Sequence, residues 1–216
     1  MIALAIDAST YRGTVAVFRD RTVVASSEAA MRGAHAEALM PAVAAALEAA
    51  GIVPATIDRV ICGEGPGSFT SLRIAAAIAK GIALGADAAL HAVSSLALTL
   101  ASATVPAGRY VVTLDALRDE WYVAIYEQSD NGAIVETQPM VRVAKQDLDV
   151  FAATHHATIL GAARGNAEPH AVGCLALMDN IEAAGPVDLE RWEPAYGRLA
   201  EAQVKWEAAH GRALGA

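Results

Sequence analysis

Ile2-Ala3-Leu4-Ala5-Ile6-Asp7-Ala8-Ser9-Thr10 opens the chain with large apolar residues alternating with small ones, then breaks into a turn at Asp7. The alternation predicts a strand, and two more follow it: Thr14 to Phe18, a hairpin turn at Arg19-Asp20-Arg21, and Thr22 to Ala25. Leu39, Val43 and Leu47, spaced by four, mark an Ala-rich helix that Gly51 is placed to end, with Pro41 expected to kink its first turns. Arg59 to Gly63 reads as a buried strand. It leads through the loop Gly63-Glu64-Gly65-Pro66-Gly67 into a helix from about Ser68 to Leu84. After Pro106-Ala107-Gly108 the order starts again. Tyr110 to Leu114 ends on Asp115 as the first strand ends on Asp7, and Trp121 to Tyr126 and Ile134 to Gln138 are joined by a turn at Asp130-Asn131-Gly132. A helix near Lys145 to Ala153 and a strand at Thr158 to Leu160 complete the second round. The repeat predicts an α/β chain of two related halves, 1–105 and 106–216, the second smaller.

The 216 residues are 55% hydrophobic and 19% charged, enough to bury roughly two thirds of the unfolded surface without staples. Cys62 and Cys174 are far apart and lack metal-ligand spacing, so a reducing compartment is the expectation. A net charge of −8 argues against unaided grip on a phosphate backbone. Asp7 interrupts the first apolar stretch, and Arg73, Lys80, Asp87 and His91 interrupt later ones. No membrane span is therefore expected, and a cytoplasmic location is.

Three constellations have the residue types for chemistry. In Asp7-Ala8-Ser9-Thr10, hydroxyl residues in a tight hairpin can turn backbone N–H groups toward a phosphate, and the acid can hold magnesium through water; the same residues also simply favour turns. The loop Gly63, Gly65, Pro66, Gly67, Ser68 permits close backbone approach beside a helix N-terminus, yet it lacks the Gly-Lys-Ser/Thr of a P-loop and the third glycine of a dinucleotide fingerprint. Ser68 or Thr70 as helix N-cap explains part of it without a ligand. The helix after the loop carries Ala77 and Gly81 four apart, with only Arg73 and Lys80 charged; it is either a core helix or a helix–helix interface shared with Leu39, Val43 and Leu47. The histidines form no metal motif.

These residues resemble the TsaB (YeaZ) family, whose usual forms are Ile-Asp-Thr-Ser at the start and Gly-Pro-Gly-Ser-Phe-Thr-Gly-x-Arg in the loop. The matching stretches here are Ile6 to Thr10 and Gly63 to Ile74. Further likenesses are His35 ahead of Leu39 and Pro41, Gly81 to Gly85, Val93-Ser94-Ser95-Leu96, Asp115-Ala116-x-Arg118-x-Glu120-x-Tyr122, and Glu193-Pro194-x-Tyr196-x-Arg198. Ser71 replaces a glycine, Leu117 interrupts the Asp-Ala-Arg motif, and Gly197 stands where leucine is common.

The resemblance implies an actin-like fold, of the sugar kinase, Hsp70 and actin group, with two ribonuclease-H-like lobes, the second degenerate. It implies a part in threonylcarbamoyl transfer to the tRNA adenosine beside the anticodon. There a TsaD subunit holds the metal and does the chemistry, the TsaB-like subunit is a non-catalytic partner that can also self-associate, and a TsaE-like ATPase joins them. The expected partner surface is His35, Leu39, Val43, Leu47, Phe69, Arg73, Ala77, Ile78 and Gly81. No metal or cofactor of the chain's own is expected, and tRNA is met only through the complex. The alternative is an active nucleotide-binding enzyme using Asp7, Ser9, Thr10 and Asp115 around ATP or ADP and magnesium, or, further off, a glycoprotease-like peptidase.

Overall fold

The structure, a computed structural model, describes residues 1–32 and 37–197. It is a mixed α/β arrangement built on two sheets. In the first, β1 (Ile2–Asp7), β2 (Arg12–Arg19), β3 (Thr22–Ala30), β4 (Arg59–Gly63) and β5 (Ala89–Val93) lie in the order β3-β2-β1-β4-β5. Helices α1 (Leu39–Ala50) and α2 (Phe69–Ala86) connect β3 to β4 and β4 to β5; α3 (Ser95–Ala101) follows β5. In the second sheet, β6 (Gly108–Leu117), β7 (Glu120–Gln128), β8 (Ile134–Ala144) and β9 (Thr158–Gly161) lie in the order β8-β7-β6-β9, with α4 (Leu148–Thr154) between β8 and β9. In both sheets two antiparallel hairpin partners flank the first strand on one side and a parallel strand flanks it on the other. The succession of three strands, a helix and a strand that the sequence repeats is present in both halves.

The alternation that opens the chain has a different physical meaning from the usual buried/exposed one. Leu4 and Ile6 face the core beneath α1 and α2, whereas Ala3 and Ala5 face the second sheet with α3, and all four are buried. The period-two pattern is therefore large against small. Alanines on the inner face let α3 and a 3-10 turn at Ala171–Leu175 sit between the sheets. Leu96, Leu98 and Leu100 of α3 are wholly buried there, and Val111, Val123 and Ile125 pack under Leu148 and Ala152 of α4 on the far face.

Helix α1 buries Leu39, Ala42, Val43, Ala46 and Leu47, the spacing of one helical face. The expected kink at Pro41 does not arise: the helix starts at Leu39, so Pro41 lies in the first turn, where an N–H has no intrahelical partner to lose. Glu37 serves that end by accepting from the backbone N–H groups of Leu39 and Met40. Strand β3 runs past Ala25 to Ala30, and β5, α3 and a further helix, α5 (Met178–Ala184), are elements the sequence reading lacked. Residues 187–196 return to the first sheet, where Val187 N–H donates to Leu90 O at 2.8 Å and Ala195 N–H to Glu64 O at 2.7 Å. Helix α2 is long and apolar enough to cross a bilayer by length and composition alone. Here its Ala75, Ala79 and Ala83 pack into the core beneath the first sheet.

His91 on β5 is 4% exposed and its Nδ1 has no hydrogen-bond partner. Burial, helped by the charge of Arg59, pushes its pKa below the ordinary imidazole value, against the pull of backbone groups at Ile181 and Gly185 and of Glu182. The folded state thus favours neutral His91, while the unfolded chain takes up the proton near pH 6.5. Its contribution is complete above that pH and is lost as pH falls toward the lower folded value. Thermal melting should therefore drop more steeply between pH 7 and pH 5 in the wild type than in His91→Gln; parallel curves would refute the assignment.

Candidate functional site

Asp7 ends β1 with its carboxylate fully enclosed. Oδ1 accepts from the Ser9 backbone N–H at 3.0 Å and the Ser9 hydroxyl at 2.8 Å; Oδ2 accepts from the Ser95 hydroxyl at 2.5 Å. Burial pushes its pKa above the usual carboxylate range, an effect that the hydrogen bonds from Ser95 and Ser9 and the charge of His170 reduce. Thr14, on the neighbouring strand, receives the Ala171 N–H at 3.0 Å and so ties the hairpin to the 3-10 turn. Thr10 stays within its own turn, its hydroxyl bonded to Arg12 backbone atoms at 3.2 Å.

The glycine loop closes over this hairpin. Gly63 has no room for a Cβ because the Asp7 carboxylate occupies that place, and at Gly67 the Ser9 carbonyl does. Ser68 N–H donates to Ser9 O at 2.8 Å, and Gly65 exchanges bonds with Ser95, its N–H to the Ser95 hydroxyl at 3.1 Å and its O from the Ser95 N–H at 2.9 Å. Gly65 lies at φ 95°, with a Cβ position 2.8 Å from Ala195 O, and its bond to Pro66 is cis. The close backbone approach these glycines permit is thus made to the chain's own first strand and C-terminal segment. Ser68 precedes α2 but makes no side-chain cap bond; its hydroxyl pairs with that of Ser71 at 2.9 Å. Ser95 completes the cluster and was not among the expected site residues, although it stands in the Val93-Ser94-Ser95-Leu96 match.

Asp115 makes a different set of contacts. Its Oδ1 accepts the Leu117 N–H at 3.0 Å and lies 3.3 Å from Lys145 Nζ, which also sits 4.4 Å from the Trp121 ring centroid. Leu117, Arg118 and Asp119 turn this hairpin with φ of 59°, 50° and 59°, a conformation that glycine would adopt without strain.

The expected partner surface divides. Leu39, Val43 and Leu47 are buried against the first sheet, so they hold α1 to the core and are not offered to a partner. Hydrophobic spacing marks the inner face of a helix before it marks an interface. The outer side of α1 is Met40, Pro41, Ala44 and Ala45 instead. On α2, Arg73, Ala77, Gly81 and Leu84 are exposed, Leu84 at 74%, while Ile78 is half-buried against the core. Phe69 packs against Tyr196, the ring planes tilted by 45° and the centroids 4.5 Å apart, and Arg73 lies 5.4 Å over the Phe69 ring. His35 and Arg198 lie outside the described residues.

Known proteins share this sequence and architecture. The chain is 30% identical to the tRNA threonylcarbamoyladenosine biosynthesis protein TsaB of Bacillus subtilis, over 95% of this chain and 98% of that one. The chain belongs to the TsaB (YeaZ) family. The TsaB of Escherichia coli is 38% identical over 61% of this chain and 58% of its own length. YeaZ from Pseudomonas aeruginosa superposes with a TM-score of 0.75 at 26% identity, covering 90% of this chain and 99% of that one. A family model described as TsaD, tRNA N6-adenosine threonylcarbamoyltransferase, matches residues 24–156 of this chain. Within this TsaB-family chain, Ser9, Gly63, Gly67 and Ser95 pack around the Asp7 hairpin.

Proposed function

We propose that this chain acts in tRNA threonylcarbamoyladenosine biosynthesis as a non-catalytic subunit that binds a TsaD-like transferase through the outward face of α2. Membership of the TsaB family supports the pathway. The two sheets of matching strand order support an actin-like pair of ribonuclease-H-like lobes, the second reduced. The observation that carries the docking role is the run of Ala77, Gly81 and Leu84 on α2, left exposed by the described residues, where a second helix can approach closely and where a Cβ added at Gly81 would meet nothing within 4 Å among the described residues. Met40 and Ala44 on the outer side of α1 offer further contact area.

Binding of this kind assists the transferase by favouring its competent arrangement, through a differential affinity for that state. The TsaE-like ATPase and tRNA join the assembly, and in the free state a second copy of the chain can occupy the same face. The saturated hydrogen bonding of Asp7 supports a structural role for the ancestral phosphate hairpin. Ala77→Glu tests the reading: its side chain is exposed, so folding should be preserved, while the buried unpaired charge in the complex should cost about 3 kcal/mol or more, over a hundredfold in affinity. Melting within about 2 °C of wild type, with loss of tRNA modification in a reconstituted TsaD reaction, is the expected pair of results. Full activity of the variant would sink the assignment. Ile78→Glu is the poorer probe, because Ile78 also packs into the core.

A further inference from the structure

Strand β3 forms one edge of the first sheet, where it pairs with β2 alone. Met31 N–H donates to Tyr11 O at 2.9 Å, in the same register that sets Arg12 opposite Ala30. Hydrogen-bonded and non-hydrogen-bonded pairs alternate along an antiparallel ladder. With Tyr11 and Met31 bonded, the pairs Arg12–Ala30, Thr14–Glu28 and Ala16–Ser26 are the non-bonded ones. The N–H and C=O groups of Ser26, Glu28 and Ala30 therefore point away from β2, and they have no backbone partner among the described residues. The other sheet edges are blunted. Leu90 O of β5 accepts the Val187 N–H, β9 has four residues, and β8 carries Pro139 and an irregular register. Strand β3 has nine residues and no proline.

A cavity of about 990 Å³ opens beneath this edge, toward residues 165–176. The Ser27 hydroxyl is turned to α1, 2.7 Å from Ala42 O, so Ser26 and Glu28 face the other side. Ser26 lines the cavity together with the apolar Ala101, Val172, Leu175 and Ala176. Glu28 stands at one end, 3.3 Å from His170 Nε2, and shares the Arg12 guanidinium with Glu168. That end has two carboxylates to one guanidinium.

We infer that the edge of β3 takes an extended peptide segment of a partner protein as an added antiparallel strand. The residue of that segment opposite Glu28 is Lys or Arg, which meets the excess carboxylate. The residue opposite Ser26 shares its face of the sheet, so an aliphatic side chain there enters the cavity. In the chain direction of the peptide this reads basic-x-aliphatic. A second copy of β3 fits poorly, because the antiparallel register that uses all three edge positions sets Glu28 against Glu28, like charge opposite like charge. The inference is independent of the function proposed above.

Fluorescence anisotropy of the full chain with the labelled, end-blocked hexapeptide Ser-Thr-Lys-Thr-Leu-Thr tests it. Binding with a Kd of about 0.1–1 mM is expected, and no binding at millimolar concentration would overturn the inference. Glu in place of the peptide Lys should weaken binding about fivefold, and equal affinities would overturn the register. N-methylation of the peptide Lys and Leu removes the donors to Glu28 O and Ser26 O, and should cost about tenfold. Unchanged binding would mean that side chains alone hold the peptide, and the added strand would be wrong. Ser26→Pro removes an edge donor without breaking the ladder to β2, so it should melt like wild type and bind about fivefold more weakly. If that variant fails to fold, the methylated peptide decides on the wild-type chain. A wild-type dimer seen by light scattering and abolished by Ser26→Pro, with no peptide bound, would give the edge to a second copy and overturn the inference.

Discussion

Replacing Gly67 with alanine should lower stability by about 3 kcal/mol or more, a fall of roughly 6–12 °C in melting temperature for a chain of this size. The Cβ has nowhere to go, because the Ser9 carbonyl stands in its place, and that carbonyl is held by the Ser68 N–H at 2.8 Å. Relief would need the loop to lift from the hairpin, and lifting breaks the bonds between Gly65 and Ser95 as well. Gly85→Ala is the matching control. Gly85 lies in α2 with open space around it, so alanine there should be neutral or stabilising by up to about 1 kcal/mol. Differential scanning calorimetry of both variants decides the matter; a Gly67→Ala chain that melts like wild type would mean the loop does not rest on Ser9.

Asp7→Ala should be as damaging, for a different reason. It strips the acceptor from three donors at once: the Ser9 N–H, the Ser9 hydroxyl and the Ser95 hydroxyl, all inside the protein. Each buried donor left without a partner costs about 1–3 kcal/mol, so with three donors a total loss of at least about 3 kcal/mol is expected. Asp7→Asn keeps one oxygen toward Ser9, and the Ser95 hydroxyl can rotate to accept from the new amide. About half the loss should return in that variant. A catalytic or magnesium-holding Asp7 predicts another pattern, in which the variants melt like wild type and lose magnesium-dependent ATP binding measured by calorimetry. An Asp7 that holds the hairpin and loop together predicts large changes in melting, graded from alanine to asparagine.

Much of this was legible in the residues. The alternation from Ile2 to Ile6, the Val-Ile core of Arg59 to Gly63 and the restart after Pro106 pointed to the succession of strands and helices along the chain, because apolar period and turn residues are local properties. What stayed hidden lay in long-range packing. The inner faces of β1 and β2 carry alanine because α3 and a 3-10 turn lie between the sheets, and nothing local announces those neighbours. Strand β5 was obscured by His91, a polar residue buried in the middle of it.

The site shows the same limit. Asp7 and the glycine loop stand out by composition, but composition cannot say whether glycines make room for a ligand or for Ser9 and Asp7 of the same chain. Ser95 reaches Asp7 across 88 residues of sequence, a partnership visible only once β1, β4 and β5 lie side by side. Leu39, Val43 and Leu47 mark the buried side of α1, and the outward side became clear only when the sheet beneath it was placed.

The central claim is that this chain docks a TsaD-like transferase, and its most direct test is the mass of the mixture. Light scattering on a size-exclusion column, with the chain alone and then with the TsaD of the same organism, should show a one-to-one complex that replaces any self-associated form. Unchanged masses for the two proteins, with ATP and the TsaE-like ATPase also present, would contradict it.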